Sequence, residues 1–193
     1  MRIYKNIFKD TVALENLLEA WDEFKIDKRK KIDVQIFERN LADNLFTLND
    51  DLTQKQYNHG PYFRFIIKDP KVRLIHKATV RDRIVHHAVF RALNPLFEPS
   101  FIYDSFSCRE RKGTHRAVKR LREFANTVYR RYGHCYVLKC DIKKFFHSIS
   151  HTILLGIIAK RIKDSDMLWL IERLINSFQQ SPQRERERER ERE

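Results

Sequence analysis

The segment Tyr136–Phe146 (YVLKCDIKKFF) carries residue types that phosphoryl-transfer chemistry requires. A short apolar run leads to Asp141, and two lysines and two phenylalanines follow. A carboxylate at the end of a strand can hold a divalent cation while the next backbone amides face a phosphate chain, and a nearby aromatic ring can form a wall beside a sugar. Asp after a strand is more often a turn or cap residue, so the segment alone leaves both interpretations open.

Positive charge is concentrated in the middle of the chain. The 193 residues carry 39 Lys and Arg against 26 Asp and Glu, a net charge of +13. Residues 61–150 hold 20 basic and 7 acidic residues, whereas residues 1–60 hold 10 and 11. A basic block between neutral flanks favours a polyanion, such as nucleic acid or a nucleotide, over a merely solvated face.

Composition predicts a helix-rich globular protein of the cytoplasm. Only 4 Gly and 5 Pro stand against 42% hydrophobic residues, which argues for long helices rather than a turn-rich β-sandwich. Three widely spaced cysteines exclude a disulfide framework, and the lack of a C-x₂-C pair disfavours zinc. No apolar run approaches the roughly 18 residues of a membrane span, and the N-terminus lacks a signal-peptide core, so we expect no membrane partner.

Hydrophobic periodicity predicts the elements that position these residues. Helical spacing predicts helices over 11–25, 33–52, 80–97, 114–131, 151–163 and 166–178. Asn94-Pro95 predicts the end or a kink of the helix over 80–97, Gly133 the stop of the next, and Ser150 an N-cap. Two apolar runs split by KDPK predict a β-hairpin within 61–77, and Tyr136–Cys140 has the length of a short strand.

Four stretches in this order closely resemble the first half of a reverse transcriptase domain. They are Phe63–Ile75 (FRFIIKDPKVRLI), Val80–Phe97 (VRDRIVHHAVFRALNPLF), Phe101–Val118 (FIYDSFSCRERKGTHRAV) and Tyr136–Ile149 (YVLKCDIKKFFHSI). The nearest likeness is to bacterial retroelement enzymes of the group II intron, retron and diversity-generating types. The resemblance implies an RNA-directed DNA polymerase whose partners are an RNA template, a DNA primer and dNTP.

The resemblance implies an α+β fold with reverse-transcriptase-like fingers and a truncated palm, helix-rich, with a small β-hairpin and a short palm strand. We expect an N-terminal helical region at 1–58, a fingers-like region at 59–134, a partial palm at 135–178 and a low-complexity tail at 179–193. The tail repeats Arg-Glu five times. It is either a disordered or solvated charged helix, or the translation of a dinucleotide repeat at an assembly junction.

The resemblance also assigns roles by position. Asp141 matches the first metal-binding, catalytic aspartate of the palm, and the backbone carbonyl of Ile142 matches a further ligand of the Mg²⁺ of a complete enzyme. Phe146 matches the aromatic residue that excludes a ribose 2′-hydroxyl. Arg73 matches the fingers residue that packs on the incoming nucleotide and touches its phosphates. The other triphosphate contact stays open among three candidates: Arg64, Lys68 and Lys71.

Four further basic residues are candidates for binding nucleic acid: Arg83, Arg109, Arg111 and Lys112. Arg83 and Arg109 match residues that brace the fingers and the template path. An equal alternative for these two is a structural salt bridge to Asp82 or Asp104.

The catalytic pattern of the family is incomplete in these 193 residues. The family's palm also has an aromatic-x-Asp-Asp hairpin downstream of the first aspartate, and this sequence contains no such segment. Because one aspartate cannot position two metals, we expect this chain alone not to polymerise. A catalytically inactive nucleic-acid-binding module is the alternative function. The unpaired edge of the palm strand predicts poor solubility or self-association through the incomplete palm.

Overall fold

A computed structural model describes residues 2–142 and 145–178 of the chain. Its helices are α1 Phe8–Val12, α2 Leu14–Lys25, α3 Ile32–Arg39, α4 Leu41–Thr53, α5 Val80–Phe97, α6 Gly113–Tyr132, α7 Phe145–Ser148, α8 His151–Arg161 and α9 Ser165–Asn176, with a 3₁₀ turn at Glu98–Ser100. Strands β1 Phe63–Ile67 and β2 Arg73–Lys77 form an antiparallel pair. The described chain is therefore helix-rich with one small sheet, consistent with the predicted α+β class.

The chain divides into two compact units. The first unit contains residues 2–95 and 149–178 of the described chain, and the second contains residues 96–148. The four-part division predicted from the sequence stays a prediction, and its Arg-Glu tail at 179–193 lies outside the described residues. Across the described ranges, no helix is long and apolar enough to cross a membrane.

The core of the first unit consists of apolar side chains that recur at helical spacing. Helix α2 buries Leu17, Trp21 and Phe24, and α4 buries Leu48 and Leu52. Residues three or four apart lie on one face of a helix, so each element turns a continuous stripe inward. Complete burial of each such side chain contributes about 1.5–3 kcal/mol, which makes this core the main source of the unit's stability.

Two of the predicted helices are each divided in two. The backbone leaves the helical conformation at Ala13 (ψ 145°) and at Asn40 (φ −121°, ψ 42°). Near each break an asparagine amide donates to a helix-end carbonyl, from Asn16 to Thr11 at 2.7 Å and from Asn44 to Phe37 at 2.9 Å. Side chains therefore satisfy backbone groups at the ends of these helices. Periodicity missed the breaks because the apolar stripe continues across them.

The other helix signals are confirmed. Helix α5 covers Val80–Phe97, as predicted, and ends two residues after Pro95. Gly133 follows α6 with φ 72°, the left-handed conformation that glycine adopts without strain. The hydroxyl of Ser150 accepts from the backbone N–H of Ile153 at 3.4 Å and caps α8.

The predicted strand over Tyr136–Cys140 is wrong. Residues 134–142 have no regular secondary structure, and Tyr136 and Leu138 are 90% and 88% exposed. A strand needs a neighbour to pair with its backbone N–H and C=O groups. The only sheet in the described ranges is the β1–β2 pair, so nothing described here pairs with this segment. The short palm strand expected from the resemblance therefore does not form in the described chain.

Candidate active site

The hairpin of β1 and β2 carries the cations that were predicted to bind a nucleotide. Phe63 pairs with Lys77 at its base and Ile67 pairs with Arg73 at its outer end. Strand β1 is exposed along its whole length, as is the connection at 68–72. This confirms the predicted hairpin, whose strands are rich in the β-branched and aromatic residues that favour extended backbone.

The register of β1 and β2 distinguishes the position of Arg64 from those of the other candidate triphosphate contacts. Arg73 is exposed opposite Ile67, and Lys68 and Lys71 are exposed in the connection between the strands. Arg64 lies three positions before Ile67. Because successive side chains of a strand point to opposite faces, Arg64 faces away from the side that carries Arg73. The geometry therefore favours the two loop lysines over Arg64 as companions of Arg73.

Arg83 braces the base of the hairpin. Its guanidinium lies 2.7 Å from Asp33 and 4.6 Å from the centre of the Phe24 ring, and Lys77 of β2 lies 2.6 Å from the same carboxylate. Partial burial by itself would raise the pKa of Asp33, but the hydrogen bonds and charges of Lys77 and Arg83 outweigh it and lower the pKa. The alternative salt bridge from Arg83 to Asp82 is wrong, because the Arg83 guanidinium reaches Asp33 on another helix.

Asp82 is a buried carboxylate whose position the sequence analysis missed. Only 1% of its side chain is exposed. It accepts hydrogen bonds from the hydroxyls of Tyr57 and Thr79 and from the backbone N–H of Gly60. Burial, followed by the charge of Asp82, raises the pKa of Tyr57, so this phenol stays protonated and donating. The sequence contains one signal for this position. Thr79-x-x-Asp82 precedes an apolar run, which is a capping-box pattern at the start of a helix.

Arg109 organises the loop between α5 and α6 instead of facing solvent. Its nitrogens lie 2.7 and 2.8 Å from Glu98, and it donates to the carbonyls of Ile102 and Ser105 at 2.8 and 3.0 Å. Only 10% of the side chain is exposed. The predicted partner Asp104 is wrong, since that carboxylate lies 2.9 Å from Arg120.

Lys112 is also held by the loop, whereas Arg111 is exposed. The Lys112 ammonium donates to the carbonyl of Tyr103 and lies 3.8 and 5.0 Å from the ring centres of Tyr103 and Phe106. Cations are attracted to ring faces at these distances. Arg111 lies on the surface with φ 55°. Of the four nucleic-acid candidates, the structure leaves Arg111 most open to a ligand.

The predicted metal and sugar contacts lie in an exposed part of the second unit. Asp141 is exposed, Ile142 is 63% exposed, and Phe146 on α7 is 82% exposed with its ring edge-on to Phe145 at 5.3 Å. Mg²⁺ takes near-octahedral oxygen ligands. No cluster of three or more His, Cys, Asp or Glu side chains suited to a metal occurs among the described residues. Asp141 and the Ile142 carbonyl therefore do not make a complete magnesium site there.

A family model described as "Reverse transcriptase (RNA-dependent DNA polymerase)" matches residues 66–192. The chain belongs to the reverse transcriptase family. The match begins inside β1 and includes the hairpin connection, Arg73, the Arg109 loop and Asp141. It confirms the resemblance that the four ordered motifs indicated.

The curated relatives that this chain matches are considerably longer than the chain itself. Protein YkfC of Escherichia coli (strain K12) is 26% identical over 144 residues, which are 74% of this chain and 38% of that protein. The group II intron-encoded protein LtrA of Lactococcus lactis subsp. cremoris is 31% identical over 108 residues, 55% of this chain and 17% of LtrA. Nuclear intron maturase 1, mitochondrial, of Arabidopsis thaliana is 27% identical over 93 residues, 48% of this chain and 12% of that protein.

Proposed function

We propose that this chain is the nucleotide- and template-binding part of an RNA-directed DNA polymerase. The observation that carries the proposal is the exposed group of Lys68, Lys71 and Arg73 on the hairpin, and all three residues lie within the family match. A triphosphate needs cations that neutralise its charge and orient it for phosphoryl transfer. The three side chains lie on a hairpin whose base contacts the Asp33 carboxylate through Lys77.

The other assigned residues have complementary roles in this proposal. Arg73 contacts the triphosphate of dNTP together with Lys68 or Lys71, and Phe146 forms the wall beside the sugar. Asp141 and the carbonyl of Ile142 supply part of the Mg²⁺ site, which further carboxylates must complete. Mg²⁺, once held in a complete site, would supply charge stabilisation for nucleotide addition.

The second unit supplies the surface for the RNA template and DNA primer. Its residues 96–148 include 12 Lys and Arg against 5 Asp and Glu. Such an excess attracts a phosphate backbone without selecting a sequence. In this proposal Arg111 contacts the backbone directly, while Arg83, Arg109 and Lys112 act by holding the binding elements in place.

A nucleotide-binding measurement tests the role of the hairpin. We would photocrosslink radiolabelled dNTP to the purified chain and compare Arg73→Ala with Arg64→Ala, the same substitution on the opposite hairpin face. Loss of one charge-assisted hydrogen bond costs about 1.5–3 kcal/mol, so Arg73→Ala should weaken binding more than about tenfold. Arg64→Ala should weaken it less than about threefold. Equal losses in the two variants would contradict the assignment.

A primer-template experiment tests the role of Asp141. Anisotropy of a labelled RNA–DNA primer-template should show salt-dependent binding that Asp141→Asn leaves unchanged or strengthens slightly, since a negative charge is removed. Primer extension with Mg²⁺ and dNTP should give no templated product, because the 193 residues lack the second carboxylate segment. Templated products from the pure chain would overturn this part of the proposal.

We also propose that the chain self-associates through exposed apolar surface of the incomplete palm. The exposed segment Tyr136–Leu138 and the exposed Phe146 support this. Light scattering after gel filtration should give a mass above that of one 23.5 kDa chain at micromolar concentration. A single monomeric species under these conditions would contradict it.

A further inference from the structure

One carboxylate oxygen holds both ends of the hairpin. Gly60 precedes β1 by three residues, and its backbone N–H donates to Oδ2 of Asp82 at 3.1 Å. Thr79 follows β2 by two residues, and its hydroxyl donates to the same oxygen at 2.5 Å. Because Asp82 belongs to the first turn of α5, the segment that enters the hairpin and the segment that leaves it are tied to one helix end.

The other oxygen of the carboxylate ties this helix end to the segment after α4. Oδ1 accepts from the Tyr57 hydroxyl at 2.8 Å, and the Tyr57 side chain is itself buried. Asp82, Tyr57, Gly60 and Thr79 are called the hairpin clamp below. Hydrogen bonds to an ionised acceptor are about twice as strong as neutral ones, and burial protects these from competing water.

The packing around the clamp leaves little freedom for a different arrangement. A Cβ atom on Gly60 would lie 3.0 Å from Asp82 Oδ2 and 3.0 Å from the Thr79 methyl group. Beside the clamp, the rings of Tyr62, His59 and His86 stack in sequence with centre distances of 4.8 and 5.4 Å. The backbone of the entering segment thus lies so close to Asp82 and Thr79 that a Cβ atom at Gly60 would force both side chains to shift.

Two further contacts of the described chain hold the outgoing strand: the His76 ring lies edge-on to Phe178 at 5.0 Å, and Lys77 pairs with Asp33. The Lys77–Asp33 ion pair lies at 2.6 Å, but its side chains are 34% and 38% exposed. Ion pairs this exposed are screened by solvent and constrain geometry little. The 1% exposed Asp82 is the buried anchor that ties both ends of the hairpin to one helix end.

We propose that Asp82 is a positioning residue that orients the hairpin and, through it, Arg73, Lys68 and Lys71. It contacts none of the reacting groups itself. Its consequence for nucleotide binding rests on the proposed function, whereas its effect on the hairpin does not.

The orientation of the hairpin is directly measurable by electron paramagnetic resonance. After Cys108, Cys135 and Cys140 are replaced by serine, nitroxide labels at Val72→Cys in the hairpin connection and Ala42→Cys on α4 report their separation. Both labelled positions are exposed residues of the first unit. The distance distribution should be narrow in the parent chain and at least twice as wide in Asp82→Ala.

Three variants make the result specific. Thr79→Val removes one clamp bond and should give an intermediate width, which also provides the test if Asp82→Ala does not fold. Asp82→Asn should restore most of the narrow distribution. Its amide oxygen can accept from Gly60 and Thr79, and the Tyr57 hydroxyl can accept from the amide nitrogen instead of donating. Asp22→Ala, which removes a surface carboxylate paired with Lys25 within α2, should leave the width unchanged. Narrow distributions in folded Asp82→Ala and Thr79→Val would overturn the proposal.

Nucleotide crosslinking separates this proposal from the proposed function. Asp82→Ala should weaken dNTP crosslinking by more than about fivefold, and adding it to Arg73→Ala should cost less than the two effects combined, because both act on the same contact. If the parent chain does not crosslink dNTP while the distance distribution still widens in Asp82→Ala, the proposed function fails and the clamp stands. If crosslinking depends on Arg73 while Asp82→Ala leaves it and the width unchanged, the clamp fails alone.

Discussion

The first unit buries the apolar faces of its helices, whereas none of the second unit's residues with a described side chain is buried. Helices α2 and α6 illustrate the contrast. The stripe of α2 includes Leu17 and Trp21, both 0% exposed, while Leu121 and Phe124 in the stripe of α6 are 54% and 46% exposed. An amphipathic pattern thus predicts a helix, but it does not say what the helix packs against. The apolar face of α6 is surface that another molecule or segment can cover.

Several cations of helices α5 and α6 also differ in how they are used. In the first unit, Arg81, Arg83 and Arg91 all pair with carboxylates from other helices. In the second unit, Arg116, Lys119 and Arg130 of α6 lie on the exposed surface. Paired cations hold helices together, and exposed ones attract anions. The paired arginines of α5 are therefore structural, whereas the exposed cations of α6 and of the hairpin connection are available to bind an anion.

The largest loss of stability should come from truncating a buried leucine of the first unit. The matched control truncates an exposed leucine of the second unit. Leu48→Ala removes a fully buried side chain and should lower the free energy of unfolding by about 2–5 kcal/mol. Leu121→Ala should change it by less than about 0.5 kcal/mol, because that side chain is already exposed. Urea titrations followed by far-ultraviolet circular dichroism report both units, since each of them contains helices. Equal losses would show that the face of α6 is covered in solution.

Acid should destabilise the first unit through His86. Burial, and next the neighbouring His59, lowers the pKa of His86 to about 4; Asp82 opposes the shift, and His87 and Arg83 add to it. The pKa of this imidazole is near 6.5 in the unfolded chain and about 4 in the folded protein. The neutral ring therefore contributes its full stabilisation above pH 6.5, and this contribution is lost as the pH falls through 4. The loss reaches about 3 kcal/mol at most.

The matched variants are His86→Phe, which keeps a ring but cannot titrate, and His115→Gln on exposed α6. The urea midpoint of the first unit should fall between pH 6.5 and 4 in the parent chain and in His115→Gln, and fall less in His86→Phe. An unchanged pH slope in His86→Phe would remove His86 as the cause.

Two glycines should respond in opposite directions to alanine. Gly133 has φ 72° and open space around its α-carbon, so Gly133→Ala costs only backbone strain of about 1–2 kcal/mol at the end of α6. Gly156 lies inside α8, also with open space, so Gly156→Ala should stabilise by about 0.5–1 kcal/mol. Thermal melts followed by circular dichroism compare the two variants. If Gly133→Ala left the melting temperature unchanged, the end of α6 would accommodate the substitution by fraying.

The smallest effect should come from the Asp33 ion pairs. Asp33→Asn removes the charge facing Lys77 and Arg83, but solvent screening at this half-exposed site keeps the cost below about 1 kcal/mol. Its lowered pKa means that the contribution is present above pH 3.8 and is lost as pH falls through the folded value. Urea titration at pH 7 and pH 3 should therefore show a smaller difference between variant and parent at pH 3. A difference that grew at pH 3 would contradict this.

Features that depend on neighbouring residues could be predicted from the sequence. The hairpin follows from two β-rich runs around KDPK, the end of α6 from Gly133, and the start of α8 from the Ser150 hydroxyl. The family membership follows from four motifs in a fixed order. The signals for the hairpin, the helix end and the helix start each lie within a few residues of the structure they predict, so local backbone chemistry decides them.

Features that depend on distant residues were decided only by the tertiary structure. Arg83 pairs with Asp33, fifty positions away in sequence, rather than with adjacent Asp82. Asp82 is buried because Tyr57 and Gly60 approach it from another segment, and Tyr136–Cys140 forms no strand because no described segment pairs with it. The sequence shows which residues are charged, polar or apolar. The partner that each of them finds depends on which segments meet in space.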